Sequence, residues 1–117
     1  MENKDYTVEI LEIIRSNTSP GIMRNRLEDY HANDLAEVFP QLKVSERRKI
    51  CRILDLDMLS DIFEHIDEQE AAEYLDEMDV RKAAGILSGM ETDAVVDVLR
   101  MTPKEKKVLL IELMDDE

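Results

Sequence analysis

The chain has no tryptophan, and its aromatic residues are limited to three tyrosines and two phenylalanines among 117 positions. A core here must be built from Leu, Ile, Val, Met and Ala, a set that suits helices packed closely on helices. There is one cysteine, so an internal disulfide is excluded, and the setting expected is the reducing cytosol. Cys51 lies among Ile50, Ile53 and Leu54 and reads as a core thiol rather than a reactive one. With three glycines and two histidines, His31 and His65, the chain has no phosphate-cradling loop, no Gly-x-Ser-x-Gly and no Cys-x-x-Cys. An enzyme is not expected. The longest apolar run, Val108 to Ile111, is four residues, far short of the roughly 18 that span a bilayer. The N-terminus has neither the basic nor the apolar region of a signal peptide. Asn17-Thr18-Ser19 matches a glycosylation acceptor only formally. Positive charge is also scarce. Lys and Arg number 15 against 28 Asp and Glu, a net −13. Such a field repels nucleic acid and anionic lipid and attracts metal cations or basic partners.

What the chain does have is a 12-residue repeat from Leu59 to Met101. Apolar doublets recur at Ile62-Phe63, Tyr74-Leu75, Ile86-Leu87 and Val98-Leu99, with a second column at Leu59, Ala71, Ala83 and Val95. A third column holds Ile66, Met78 and Met90, and the turn after it is acidic at Asp67, Asp79 and Glu91. A unit this short holds one helix of about two and a half turns and a tight corner. The doublet continues less regularly at Val38-Phe39, Ile53-Leu54 and Leu109-Leu110. Nothing alternates with period two, so an all-α stack of short helices is expected. Helices of this length are marginal alone, and each must be stabilised by its neighbours.

Along the chain, a first helix is expected over Tyr6–Arg15, with Val8, Leu11 and Ile14 on one face. Residues 17–21 break it, and further helices follow at Ile22–Tyr30 and Leu35–Leu42, and from Ser45. The regular repeats come next, then a last helix from Pro103 to about Met114. Asp67 and Asp79, with Asp57 a further candidate, suit helix N-caps, and Thr102-Pro103-Lys104-Glu105 has the order of a capping box. Met58, Met78, Met90, Met101 and Met114 read as core fillers, Arg47-Arg48-Lys49 as a solvated face, and His65 as exposed. The chain ends on Asp115-Asp116-Glu117, more like a severed linker than a helix cap.

Acidic residues are the remaining candidates for chemistry. Asp55-Leu56-Asp57 opens like a calcium loop, but Ser60 stands where its glycine belongs and Ile66 where its bidentate glutamate belongs. The position before each doublet reads Glu37, Arg52, Asp61, Glu73, Gly85, Asp97 and Val108. If repeat-equivalent positions align, Asp61, Glu73 and Asp97 form part of an acidic stripe. Asp93 and Asp97, like Asp57 and Asp61, are four apart on one helix face, where like charges cost a few tenths of a kcal/mol unless neutralised. Mg2+ would neutralise them, since it needs only one or two carboxylates and keeps several waters. The same acids also read as solvated surface.

The segment His31-Ala32-Asn33-Asp34-Leu35-Ala36-Glu37-Val38-Phe39 resembles the opening motif of the N-terminal cytosolic domain of MgtE magnesium transporters, with Ala32 in place of the usual proline. The runs DIFEHID, EAAEYLDEMD, KAAGILSGM and DAVVDVL then follow that domain's succession of helices, so the resemblance covers residues 5–114. It implies a right-handed superhelix of about nine or ten short helices, a single domain over 1–117 that precedes CBS domains and a dimeric membrane pore. It implies a location on the cytoplasmic face of the membrane. It further implies a Mg2+-sensing role, in which Mg2+ bridges carboxylates between this domain and a CBS domain to favour pore closure. The family's metal-facing positions fall on Asp61, Asp93 and Asp97, Asp61 standing where glutamate is common. In the domain alone, half of the ligands would be missing and ordered Mg2+ is not expected. A helical interaction scaffold like that of the flagellar motor switch protein FliG is the alternative, and an adaptor with an acidic face is a third; fold alone does not separate them.

Overall fold

The computed structural model describes residues 5–115. Among these are nine α-helices, one 3-10 turn and no strand. The helices are α1 (Thr7–Arg15), α2 (Pro20–Leu27), α3 (Ala32–Val38), α4 (Val44–Ile53) and α5 (Leu56–Phe63), then α6 (Glu68–Asp76), α7 (Val80–Ser88), α8 (Thr92–Arg100) and α9 (Lys104–Asp115). The 3-10 turn, Phe39–Gln41, continues α3 where Pro40 would otherwise interrupt a longer helix. The expected helix over 35–42 is therefore two elements.

Each corner redirects the chain, so most helices find their main neighbour two along. In this way α1, α3, α5, α7 and α9 pack in series as one row, while α2 lies on α4 and α6 on α8. The corners are fixed by an acidic column that begins one unit earlier than expected. Asp55 accepts the Met58 N–H at 2.9 Å, Asp67 those of Gln69 and Glu70 at 3.2 and 3.3 Å, and Asp79 that of Arg81 at 2.7 Å. Each such cap is worth about 1 kcal/mol. Asp57 sits in the first turn of α5 and does not cap it. Glu91, one methylene longer, makes no side-chain cap, and its N–H donates instead to Glu64 at 2.7 Å. Thr102 also departs from expectation. Its hydroxyl donates back to the Val98 carbonyl at 2.9 Å, closing α8 rather than opening α9. Residues 17–21 do more than break α1, because Pro20 takes the first position of α2, where its missing N–H is harmless.

The apolar columns form the core as the repeat demands. Leu59, Ala71 and Ala83 are fully buried, and Val95 nearly so, as are the doublets from Ile62-Phe63 to Ile86-Leu87. Both ends deviate. In α1 the buried face is Ile10 and Ile14, with Val8 67% exposed. In α9 Leu110 packs inward while Leu109 is 50% exposed, because the helix has a neighbour on its α7 side and its other face is uncovered among the described residues. Met101 is exposed rather than core, whereas Met90 is buried. Cys51 is buried, and desolvation pushes its thiol up to about 11.

In the basic run Arg47 and Lys49 are structural ties rather than a solvated face, while Arg48 stays exposed. Arg47 reaches from α4 to the end of α6 and grips Glu77 with two bonds of 2.8 and 2.6 Å. A third N–H donates to the Leu42 carbonyl at 2.6 Å, and the guanidinium lies 4.6 Å over the Tyr74 ring. The Glu77 carboxylate holds the Arg47 pKa above its ordinary value. Lys49 donates to the Ile14 carbonyl at 3.2 Å, tying α4 to α1. The Arg47 and Glu77 side chains are only 12% and 22% exposed, so Glu77→Ala should cost roughly 2 kcal/mol by leaving a half-buried guanidinium unpaired. Urea unfolding should show a lower midpoint at unchanged slope. A loss below about 0.5 kcal/mol, the level of an exposed pair, would refute the staple.

Candidate metal face

Asp61 lies near the end of α5, and Asp93 and Asp97 lie one turn apart on α8. Asp61 is exposed and lines a shallow cleft of about 290 Å3 with Glu28, Tyr30, Ala32, Leu35, Met58 and Ile62. Glu28 is a second carboxylate in that cleft. It stands at the corner after α2, 33 residues before Asp61, a separation for which the sequence holds no spacing signal. Asp93 is exposed in the first turn of α8, where the helix N-terminus favours negative charge. Asp97 is half-buried, and Arg100 approaches it at 3.8 Å on the same helix.

The stripe expected from repeat equivalence is split by the packing. Helices two apart are neighbours, so Asp61 belongs to the row of α3, α5, α7 and α9, while Glu73 and Asp97 belong to the row of α6 and α8. Between them in sequence, Gly85 is covered by Leu56. A Cβ there would stand 3.2 Å from the Leu56 Cδ1. Among the described residues no group of three or more His, Cys, Asp or Glu is placed to hold a metal ion. Asp61 and Asp93 make no side-chain hydrogen bond or ion pair among the described residues. Their oxygens are thus available to an outside cation or donor. Such a donor set suits a hard ion that retains much of its water and takes one or two carboxylates from each surface, and does not suit a closed protein cage.

No helix among the described residues is long and apolar enough to cross a membrane. The family model for the MgtE intracellular N domain matches residues 30–117. A solved structure titled "Crystal structure of the soluble part of a magnesium transporter" matches with a TM-score of 0.81 at 28% identity, over 92% of this chain and 42% of that one. This chain therefore spans less than half of that protein's length. No curated protein matches the chain.

Proposed function

The chain belongs to the MgtE intracellular N domain family, and from that premise we propose that it is the Mg2+-sensing regulatory domain of a magnesium transporter. In this reading residues 1–117 form one domain of a longer protein, followed by CBS domains and a membrane pore. Asp61, Asp93 and Asp97 meet carboxylates of a CBS domain through hydrated Mg2+, and the docked state favours closure.

The observation that carries the reading is the side-by-side pair Asp93 and Asp97 on α8, with Asp93 free of any protein donor among the described residues. A domain with net charge −13 cannot approach another acidic surface without cations between them. Docking is then linked to Mg2+, because each ion binds the docked state in preference to the open one. Single sites need only be weak, since several ions act across one interface. The resemblance of fold to the soluble part of a magnesium transporter supports the same role.

Limited proteolysis of the full-length protein tests it. Millimolar Mg2+ should slow cleavage between this domain and the segment that follows. Asp93→Asn with Asp97→Asn should remove that protection with only a small change in the melt of the domain, because Asp93 is exposed and the Asp97 contact to Arg100 is long. Equal protection with and without Mg2+, or an unchanged Mg2+ response in the double variant, would sink the proposal.

A further inference from the structure

The opposite character is found between α4 and the corner from α6 to α7. Here a cleft of about 300 Å3 has a mostly apolar floor formed by Phe39, Cys51, Tyr74 and Met78. Its rim carries Arg48, Arg52 and Lys82. The two acids that also line it are already engaged. Glu77 is neutralised by Arg47, and Asp79 caps α7 through the Arg81 N–H. Arg48 gives one N–H to the Glu77 carbonyl at 3.2 Å, and none of the three rim cations forms an ion pair among the described residues. Arg52 also lines an adjoining cleft beside Arg24 and Lys49, so the positive edge continues beyond the first opening.

Three cations gathered around an apolar floor, in a cavity of the size that small ligands occupy, form an amphipathic receptor. We propose that this cleft binds a small organic anion, its apolar body against the floor around Met78 and its anionic group between Arg48, Arg52 and Lys82. A carboxylate and a phosphate share the required chemistry. The inference is independent of the Mg2+-sensing reading, since it uses none of Asp61, Asp93 and Asp97.

Calorimetric and amide-shift titrations of the chain with 1-naphthoate and 1-naphthyl phosphate test it, the two arms separating carboxylate from phosphate. At least one should bind saturably, with shifts concentrated in α4 and the α6–α7 corner. The neutral 1-naphthalenemethanol and inorganic phosphate alone should each bind about tenfold or more weakly. Arg52→Glu with Lys82→Glu should weaken the anion by about tenfold or more, while the thermal melt stays near that of the parent because neither cation holds an ion pair. Should that variant fail to fold, the milder Arg52→Gln with Lys82→Gln supplies the same comparison. Equal binding of the neutral alcohol or of inorganic phosphate would overturn the site. So would scattered shifts, no saturable binding at millimolar probe, or unchanged affinity in the folded charge variant.

Discussion

Phe39→Ala should destabilise the domain by about 3–5 kcal/mol, a large share of the 5–15 kcal/mol available to a domain of this size. Phe39 is 2% exposed at the junction of α3 with its 3-10 turn. Its ring meets Phe63 of α5 edge-on at 5.7 Å and the Tyr74 ring of α6 at 5.9 Å. One side chain thus joins three helices from both rows, and alanine there leaves a cavity that none of these helices can close without separating from another. The loss should exceed simple burial, because edge-on aromatic pairs add about 0.5–1.5 kcal/mol each. It also reaches Arg47, whose guanidinium rests on Tyr74. Phe39→Ala and Glu77→Ala should accordingly be non-additive, since both loosen the same contact between α4 and α6. Phe39→Leu keeps much of the volume and should cost less than half as much. Thermal and urea unfolding of the parent, the three single variants and the Phe39→Ala, Glu77→Ala double variant decide the matter. If alanine costs no more than leucine, Phe39 is not the joint between the rows.

That joint also shows what the sequence made legible. The doublets and the Leu59, Ala71, Ala83 and Val95 column are local patterns, and burial follows from them because each helix must hide the same stripe. Met23 and Leu27, four apart, are likewise both fully buried. The partner of each stripe is a different matter. The repeat period is one helix, but the packing period is two, so repeat-equivalent acids such as Asp61 and Glu73 go to different rows. Scarcity of aromatics was legible, and their clustering was not. Tyr6 meets Tyr30 at 5.4 Å, and the remaining three meet around Phe39. Those contacts cross 24, 24 and 35 residues, beyond the reach of any single helix. The role of Arg47 is hidden for the same reason, since its partner Glu77 lies 30 residues on, outside any local pattern. Asp93 and Asp97 are visible as a pair because one helix sets their spacing, and the Arg100 that approaches Asp97 at 3.8 Å is set by the same helix.

Gly89→Ala should cost about 2–3 kcal/mol, at the upper end of what overpacking a tight contact does. Its backbone is not the reason. With φ of −91° and ψ of −1°, any residue adopts this end of α7. The obstacle is Ser60 of α5. A Cβ on residue 89 would lie 2.4 Å from the Ser60 Oγ and 3.0 Å from its Cβ. Ser60 cannot swing aside cheaply, because it is 2% exposed and its hydroxyl donates to the Ile86 carbonyl at 2.7 Å. Serine and glycine therefore act together as the lock between α5 and α7. Ser60→Ala alone should cost about 1 kcal/mol, since the Ile86 carbonyl keeps the Gly89 N–H as a second donor. It should rescue Gly89→Ala only in part, because the 2.4 Å contact goes with the hydroxyl while the 3.0 Å contact to the Cβ remains. Ser60→Gly removes both obstacles at a helix-propensity cost near 1 kcal/mol, so Ser60→Gly with Gly89→Ala should be more stable than Gly89→Ala alone. A double-mutant cycle by urea unfolding should return a favourable coupling of about 1–2 kcal/mol. Simple additivity would place the requirement for glycine elsewhere than in this contact.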